Sequence, residues 1–333
     1  MIIKFSSLGD VILSTAAIRA IREKFKNNYK ISFLVGAEAK DALSRCPYID
    51  ELIVADLKNK DKGLKGLFGL GALLRKKNFD IVIDLQNNRK SHILSFLTLS
   101  PARVGYDNKK FGFLLNRRIK DDPDPVDPVT HQFRALKTLG IEPVEPRLEL
   151  WPTEEDEKYV EELLSSQWLS SNQKVIGINV SASPRWLTKC WPREHLVKFC
   201  QELGEAGMRI VFTGTERDME TANYLGGRLK NVKIINACAR TTINQLACLI
   251  KKCNVYITAD SSPLHVAAAM GTPFVALFGP TDPRRHLAPA KKFLVIKKDL
   301  ACSPCYRSKC KDKKCMSLIT PEEVLEAVKR LLE

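Results

Sequence analysis

Short runs of apolar, β-favouring residues alternate with helical patterns along most of the chain. In the first half these runs are residues 2–5, 31–35, 52–54 and 81–85. In the second half they are 175–179, 209–212, 232–235, 255–258, 274–278 and 293–296. They are continuous rather than alternating, the pattern of strands buried on both faces of a parallel sheet. Between them lie helical stretches such as 11–25, where Val11, Ile18, Ile21 and Phe25 share one face. Strand–helix alternation of this kind predicts a doubly wound α/β architecture.

The alternation breaks near the middle. Asp121-Asp-Pro-Asp-Pro-Val-Asp-Pro128 holds three prolines and can be neither helix nor central strand, because proline lacks the N–H that both need. A helix is predicted over 131–139, ending at Gly140, and a second proline-rich passage runs from Pro143 to Pro152. Thr153-Glu-Glu-Asp156 then opens another helix with a capping-box-like arrangement. A chain of 333 residues is long for one domain of ~100–200 residues, so the boundary is placed at 150, giving domains 1–150 and 151–333. A helix over 321–332, with Thr320 as N-cap and Pro321 as its first residue, closes the chain and is expected to pack back on the N-terminal domain.

With 44% hydrophobic and 27% charged residues the composition is that of an ordinary globular protein. The net charge of +15 changes the picture: it calls for an anionic partner, which could equally be nucleic acid, an acidic membrane surface or a phosphorylated substrate. Lys4 and Asp10 interrupt the first apolar residues too early for a signal-peptide core, and Gly271-Thr-Pro273 cuts the longest uncharged stretch, so a cytoplasmic protein is expected. Six of the ten cysteines are scattered, and four crowd together as Cys302, Cys305, Cys310 and Cys315. That spacing is not the paired CxxC…CxxC of common zinc sites, so free thiols are preferred over bound zinc. No glycine-rich dinucleotide fingerprint or Walker loop occurs, which argues against a dehydrogenase or a P-loop ATPase.

Three segments offer chemistry. The turn Ser6-Ser7-Leu8-Gly9-Asp10 follows the first strand, where open α/β sheets form their ligand crevice. Gly9 would permit a tight backbone there, and Asp10 is either a base or a helix cap. Asp260-Ser261-Ser262-Pro263-Leu264-His265 joins a strand to a helix, so the N–H groups of Ser262, Leu264 and His265 and the two serine hydroxyls can meet an anion such as a diphosphate. Ser181 and Ser183, with Lys189 close behind in Lys189-Cys-Trp-Pro192, suit phosphate oxygens. Glu216 follows another strand and can accept hydrogen bonds from ribose hydroxyls.

Taken together these segments resemble glycosyltransferase family 9, the ADP-heptose lipopolysaccharide heptosyltransferases. The likeness lies in Lys4-Phe-Ser-Ser-Leu-Gly-Asp10, in Ser181-Ala-Ser183 with Lys189-Cys-Trp-Pro192, and in Asp260 to His265 followed by residues 271–281. The terminal cysteine segment leading to Ile319-Thr-Pro321 is also similar to that family. The resemblance implies a GT-B fold of two facing Rossmann-like domains, with the acceptor on the N-terminal domain and the nucleotide sugar on the C-terminal one. It implies an inverting transfer from ADP-heptose to the lipopolysaccharide inner core, with Asp10 as general base and no required cofactor or metal. Ser181, Ser183, Lys189, Ser261, Ser262 and His265 would hold the donor diphosphate, Glu216 the nucleoside and Asp260 the donor sugar. Ser262 departs from the glycine common in the family, which leaves another nucleotide sugar or acceptor as the alternative. Ser7, Arg89, Arg103 and Lys109 are candidate acceptor contacts, and an anionic core at the inner membrane face would account for the basic charge. Peripheral membrane contact is therefore expected and nucleic acid is not, although a basic nucleic-acid-binding protein is the alternative of another class.

Overall fold

The structure, a computed structural model, describes residues 1–121, 124–143, 145–165 and 173–333. Asp122 and Pro123 of the proline-rich break, and Val144 of the passage after it, lie outside the described residues. The chain divides into two compact units, Met1–Trp151 and Pro152–Glu333. The segment before the boundary belongs to the first unit: Glu149 accepts from the Arg19 guanidinium and the Tyr48 hydroxyl, and its N–H donates to Thr15.

In the first unit the strands are β1 (Ile2–Ile3), β2 (Ser32–Gly36), β3 (Glu51–Ala55), β4 (Ile81–Asp84), β5 (Ala102–Asp107) and β6 (Arg117–Lys120). All pair in parallel, in the order β3-β2-β1-β4-β5-β6. The helices between them are α1 (Leu8–Leu13), α2 (Thr15–Phe25), α3 (Gly63–Arg75), α4 (Arg89–Leu97) and α5 (Pro128–Lys137). The second unit holds β7 (Val175–Asn179), β8 (Arg209–Thr213), β9 (Ile234–Asn236), β10 (Val255–Ala259), β11 (Phe274–Phe278) and β12 (Phe293–Lys297), again all parallel, in the order β12-β11-β10-β7-β8-β9. Its principal helices are α6 (Glu154–Ser165), α7 (Arg193–Glu205), α8 (Met219–Arg228), α9 (Ile243–Lys251), α10 (Ser262–Met270) and the closing helix Pro321–Leu332. Counted from its own first strand, each sheet has the 3-2-1-4-5-6 order of dinucleotide-binding folds. The order reverses between β1 and β4 in one unit and between β7 and β10 in the other, and a ligand crevice forms at the carboxyl ends of such strands.

Two sequence expectations are corrected here. The helix expected over 11–25 is two helices broken at Ser14, because the Ser14 and Thr15 hydroxyls donate back to the Val11 and Ile12 carbonyls at 2.6 and 2.7 Å. Such local bonds compete with the helical ladder and bend it. The helix expected from 131 begins earlier, at Pro128, because Asp127 accepts from the Val129 and Thr130 N–H groups as its N-cap. In the closing helix Val324, Ala327, Val328 and Leu331 join Phe199, Val275 and Leu277 in the second unit's core.

Candidate active site

In the first unit, β1 leads straight into α1, and Ser7 is the N-cap. Asp10 is the third residue of the helix, and its Oδ2 accepts from the Ser7 N–H at 2.8 Å and the Ser7 hydroxyl at 2.9 Å. Asp10 is thus the far end of a capping box rather than the cap itself. Gly9 is an ordinary helical residue in the first turn; the left-handed glycines among the described residues are Gly63, Gly140, Gly207 and Gly271. Lys4, nearly buried on the adjoining strand end, brings its ammonium within 3.7 Å of Asp10 Oδ1 and donates to the Leu85 carbonyl.

The neighbouring strand β4 carries residues the sequence reading missed. Gln86 Oε1 accepts from both the Phe5 and Ser6 N–H groups at 2.9 Å, and Gln86 Nε2 donates to the Ser6 hydroxyl at 3.3 Å. Gln86 therefore fastens the end of β4 to the turn that presents Asp10. Behind it, fully buried Asp84 accepts from the Gln86 and Asn87 N–H groups and faces His92 Nε2 at 3.6 Å. Burial pushes the Asp84 carboxyl above its ordinary range, against the backbone and Ser91 hydrogen bonds and the His92 charge that favour its ionised form. Among the candidate acceptor contacts, Arg89 opens α4 and lies over the Phe111 ring, and exposed Lys109 follows β5 on the same sheet edge. Arg103 is not brought to that edge: it sits near the start of β5 and donates to the Leu114 and Ser100 carbonyls.

In the second unit, β10 leads into Asp260, which is 6% exposed. Lys189 Nζ lies 2.7 Å from Asp260 Oδ2, and the Thr281 hydroxyl donates to the same oxygen at 2.7 Å. Burial works to raise the Asp260 pKa, but Lys189, His286 and the Lys189 and Thr281 hydrogen bonds hold it below the ordinary carboxylate value. The Lys189 ammonium also sits 5.0 Å from the centre of the Trp186 ring. Lys189, expected with Ser181 and Ser183 on phosphate oxygens, pairs with Asp260. Ser261 is the N-cap of α10, and its hydroxyl joins Asn179 and Thr258 across the β7–β10 switch point. Of the three expected backbone donors, the Leu264 N–H is already spent on the Ser261 carbonyl at 3.0 Å. His265 is buried in the first turns of α10, Ser262 is half-buried, and Gly271 ends the helix at φ 69°.

After β7 the Ser181 hydroxyl donates to Asp218, whose other oxygen caps the turn after β8 through Thr215. Asp218, another residue sequence reasoning missed, so ties the Ser181 loop to the turn carrying Glu216, which is exposed, as is Ser183. The cysteine segment lies alongside. Ser303 donates to the Gly279 carbonyl, the Cys305 and Tyr306 N–H groups donate to Pro280, and the Arg307 carbonyl accepts from Thr188, next to Lys189. Cys302 and Cys310 are exposed, and Cys305 and Cys315 half-buried. Among the described residues no group of three or more His, Cys, Asp or Glu is arranged to hold a metal ion.

Two dinucleotide-type units in one chain, each with charged and hydroxyl groups at its switch point, make up the two-domain GT-B fold. Residues 68–316 match glycosyltransferase family 9 (heptosyltransferase), and the chain belongs to that family. Lipopolysaccharide heptosyltransferase 2 of Escherichia coli strain K12 is 27% identical over 100% of this chain and 98% of its own length. A crystal structure of a family 9 glycosyltransferase from Veillonella parvula superposes with a TM-score of 0.88 at 27% identity, covering 99% of this chain and 96% of that one. The structure of E. coli ADP-heptose lipopolysaccharide heptosyltransferase II gives a TM-score of 0.79 at 26% identity over 99% and 97% of the two chains.

Proposed function

We propose that this glycosyltransferase moves a heptose from ADP-heptose to the lipopolysaccharide inner core with inversion at the anomeric carbon. Asp10 takes the proton from the acceptor hydroxyl as that oxygen attacks, and ADP leaves. Ser7 and Gln86 keep the Asp10 turn in place, and Arg89 and Lys109 meet the acceptor's anionic groups. In the second unit Lys189, the Ser261 and Ser262 hydroxyls, and the α10 start at His265 stabilise the departing diphosphate, in a reaction that calls for no metal. Glu216 holds the nucleoside with Ser181 and Ser183 nearby, and Asp260 orients the donor sugar while fixing Lys189. An acceptor embedded in a bilayer puts the enzyme at the cytoplasmic membrane face, in keeping with the charge of +15.

The observation that supports this reading best is the Lys189–Asp260–Thr281 cluster beside the α10 start, in a chain matched end to end by an enzyme named for ADP-heptose. The test is release of ADP from ADP-heptose in the presence of a heptose-free inner-core acceptor, with UDP-, GDP- and dTDP-sugars in parallel. A donor panel read by thermal shift accompanies it, because a ligand raises native stability by mass action. Stabilisation and turnover by another nucleotide sugar, and none by ADP-heptose, would reject the donor assignment.

A further inference from the structure

The first unit carries an apolar surface that the reaction does not use. Helix α3 buries Leu67, Leu70 and Leu74 against Ile3, Leu34 and Val82, as an amphipathic helix should. Its exposed side is not uniformly polar: Leu64 is 71% and Phe68 54% exposed along one flank, Leu73 is 48% exposed on the other, and Lys65, Gly69, Ala72 and Lys76 lie between them. Leu64 and Phe68 are one turn apart, so they form one apolar ridge. The charge beside it is mostly cationic: from Lys62 to Lys77 the chain has Lys62, Lys65, Arg75, Lys76 and Lys77 and no acidic residue, with Asp61 just before the helix. Lys62, Lys65, Arg75 and Lys76 are exposed, while Lys77 pairs with Glu51.

The basic and apolar surface continues beyond the helix. α3 packs side by side with α4, whose Leu97 fills the space that a side chain at Gly71 would need. On α4 and the turn packed against it, Phe96 and Phe113 are 42% and 69% exposed, with Arg103 over the Phe96 ring and Arg89 over Phe111, the edge partner of Phe113. Neighbouring exposed apolar side chains rimmed by charge commonly mark an interaction surface. A helix of 13 residues that exposes Leu64 and Phe68 along one flank beside Lys65, Arg75 and Lys76 fits an anionic bilayer surface, lying in its plane with Leu64 and Phe68 below the headgroups. Among the described residues no helix is long and apolar enough to cross a membrane.

We propose that α3, with the adjoining Phe96–Phe113 surface, is the face by which the enzyme docks on an anionic phospholipid bilayer. The inference rests on the lipid-acceptor part of the proposed function and names the surface that serves it. The test mixes the full chain with vesicles of phosphatidylcholine alone or with one quarter phosphatidylglycerol, at low and high salt, and measures the bound fraction by sedimentation. Binding should require the anionic lipid, weaken with salt, and fall on the order of tenfold or more in Leu64→Ser/Phe68→Ser. A Phe68→Trp variant should shift its emission to the blue on adding anionic vesicles, which reads insertion without depending on the double variant. Turnover of a soluble, deacylated acceptor should be unchanged in Leu64→Ser/Phe68→Ser; loss of that turnover in the parent enzyme would count against the proposed reaction, not against docking. Vesicle binding indifferent to Leu64 and Phe68, or a Phe68→Trp variant whose emission does not move, would overturn the proposal. So would a solution dimer that Leu64→Ser/Phe68→Ser dissociates, since the ridge would then be covered by a second copy.

Discussion

Replacing Lys189 by methionine keeps most of the side-chain stem and removes its charge. Of the two groups on Asp260 Oδ2, only the Thr281 hydroxyl would remain. Lys189 is 12% and Asp260 6% exposed, so water does little to screen the carboxylate left behind. Removing one partner of a buried ion pair costs about 3–5 kcal/mol. At ~2–4 °C per kcal/mol for a unit of this size, the melting transition of the second unit should fall by roughly 6–20 °C. The pH dependence has a definite sign. In the parent protein the folded-state pKa of Asp260 is depressed, so its contribution to stability is present above the unfolded value and is lost as pH falls through the folded one. Without Lys189 the burial effect dominates and the folded pKa rises above the unfolded value, so the deficit should shrink as pH falls toward about 4. Lys189→Met/Asp260→Asn leaves no charge to bury and should recover more than half of the lost stability. Scanning calorimetry of the three proteins at neutral and acid pH measures all of this. A Lys189→Met transition within about 2 °C of the parent at neutral pH, or no recovery in the double variant, would refute the reasoning.

Three further outcomes follow from the same geometry. Asp10→Asn keeps an oxygen for the Ser7 N–H but removes the proton acceptor, so turnover should fall ~10²–10⁴-fold with the melting temperature little changed; near-normal turnover would leave Asp10 a capping residue only. Gln86→Ala releases the Phe5 and Ser6 N–H groups and should lower kcat on the order of tenfold at unchanged donor KM, whereas equal kinetics would deny Gln86 a positioning role. Alkylation followed by mass spectrometry should find Cys302 and Cys310 modified in the native protein. Cys46, Cys238 and Cys253, whose thiols burial pushes up to about 12, should react only after unfolding, and early labelling of these three would contradict their packing.

The parts legible in the sequence were those with local signals. Most of the strands showed as uninterrupted apolar runs, and the turns at Asp10 and Asp260 showed as polar residues between such a run and a helical pattern. β5 and β6 did not show, because Arg103 and Gly105 interrupt one and Arg117, Arg118 and Lys120 dominate the other. The partnerships that build the site were invisible for a different reason. Lys189 meets Asp260 across 71 positions and Gln86 meets Phe5 across 81, and only strand order brings them together. Local pattern reading carries no information about such pairs; knowing that the sheet order reverses between β1 and β4 would have pointed to Gln86.

The charged edge strand has a consequence of its own. β6 pairs with β5 on one side and leaves a row of backbone donors and acceptors open on the other, a template on which a second chain could add a strand. Its length is four residues, three of them cationic, and although Arg118 pairs with Asp107, a copy approaching in register still meets the like charges of Arg117 and Lys120. A short cationic edge disfavours intermolecular β-pairing, so crowded expression of a protein with Arg117, Arg118 and Lys120 neutralised should yield more insoluble material.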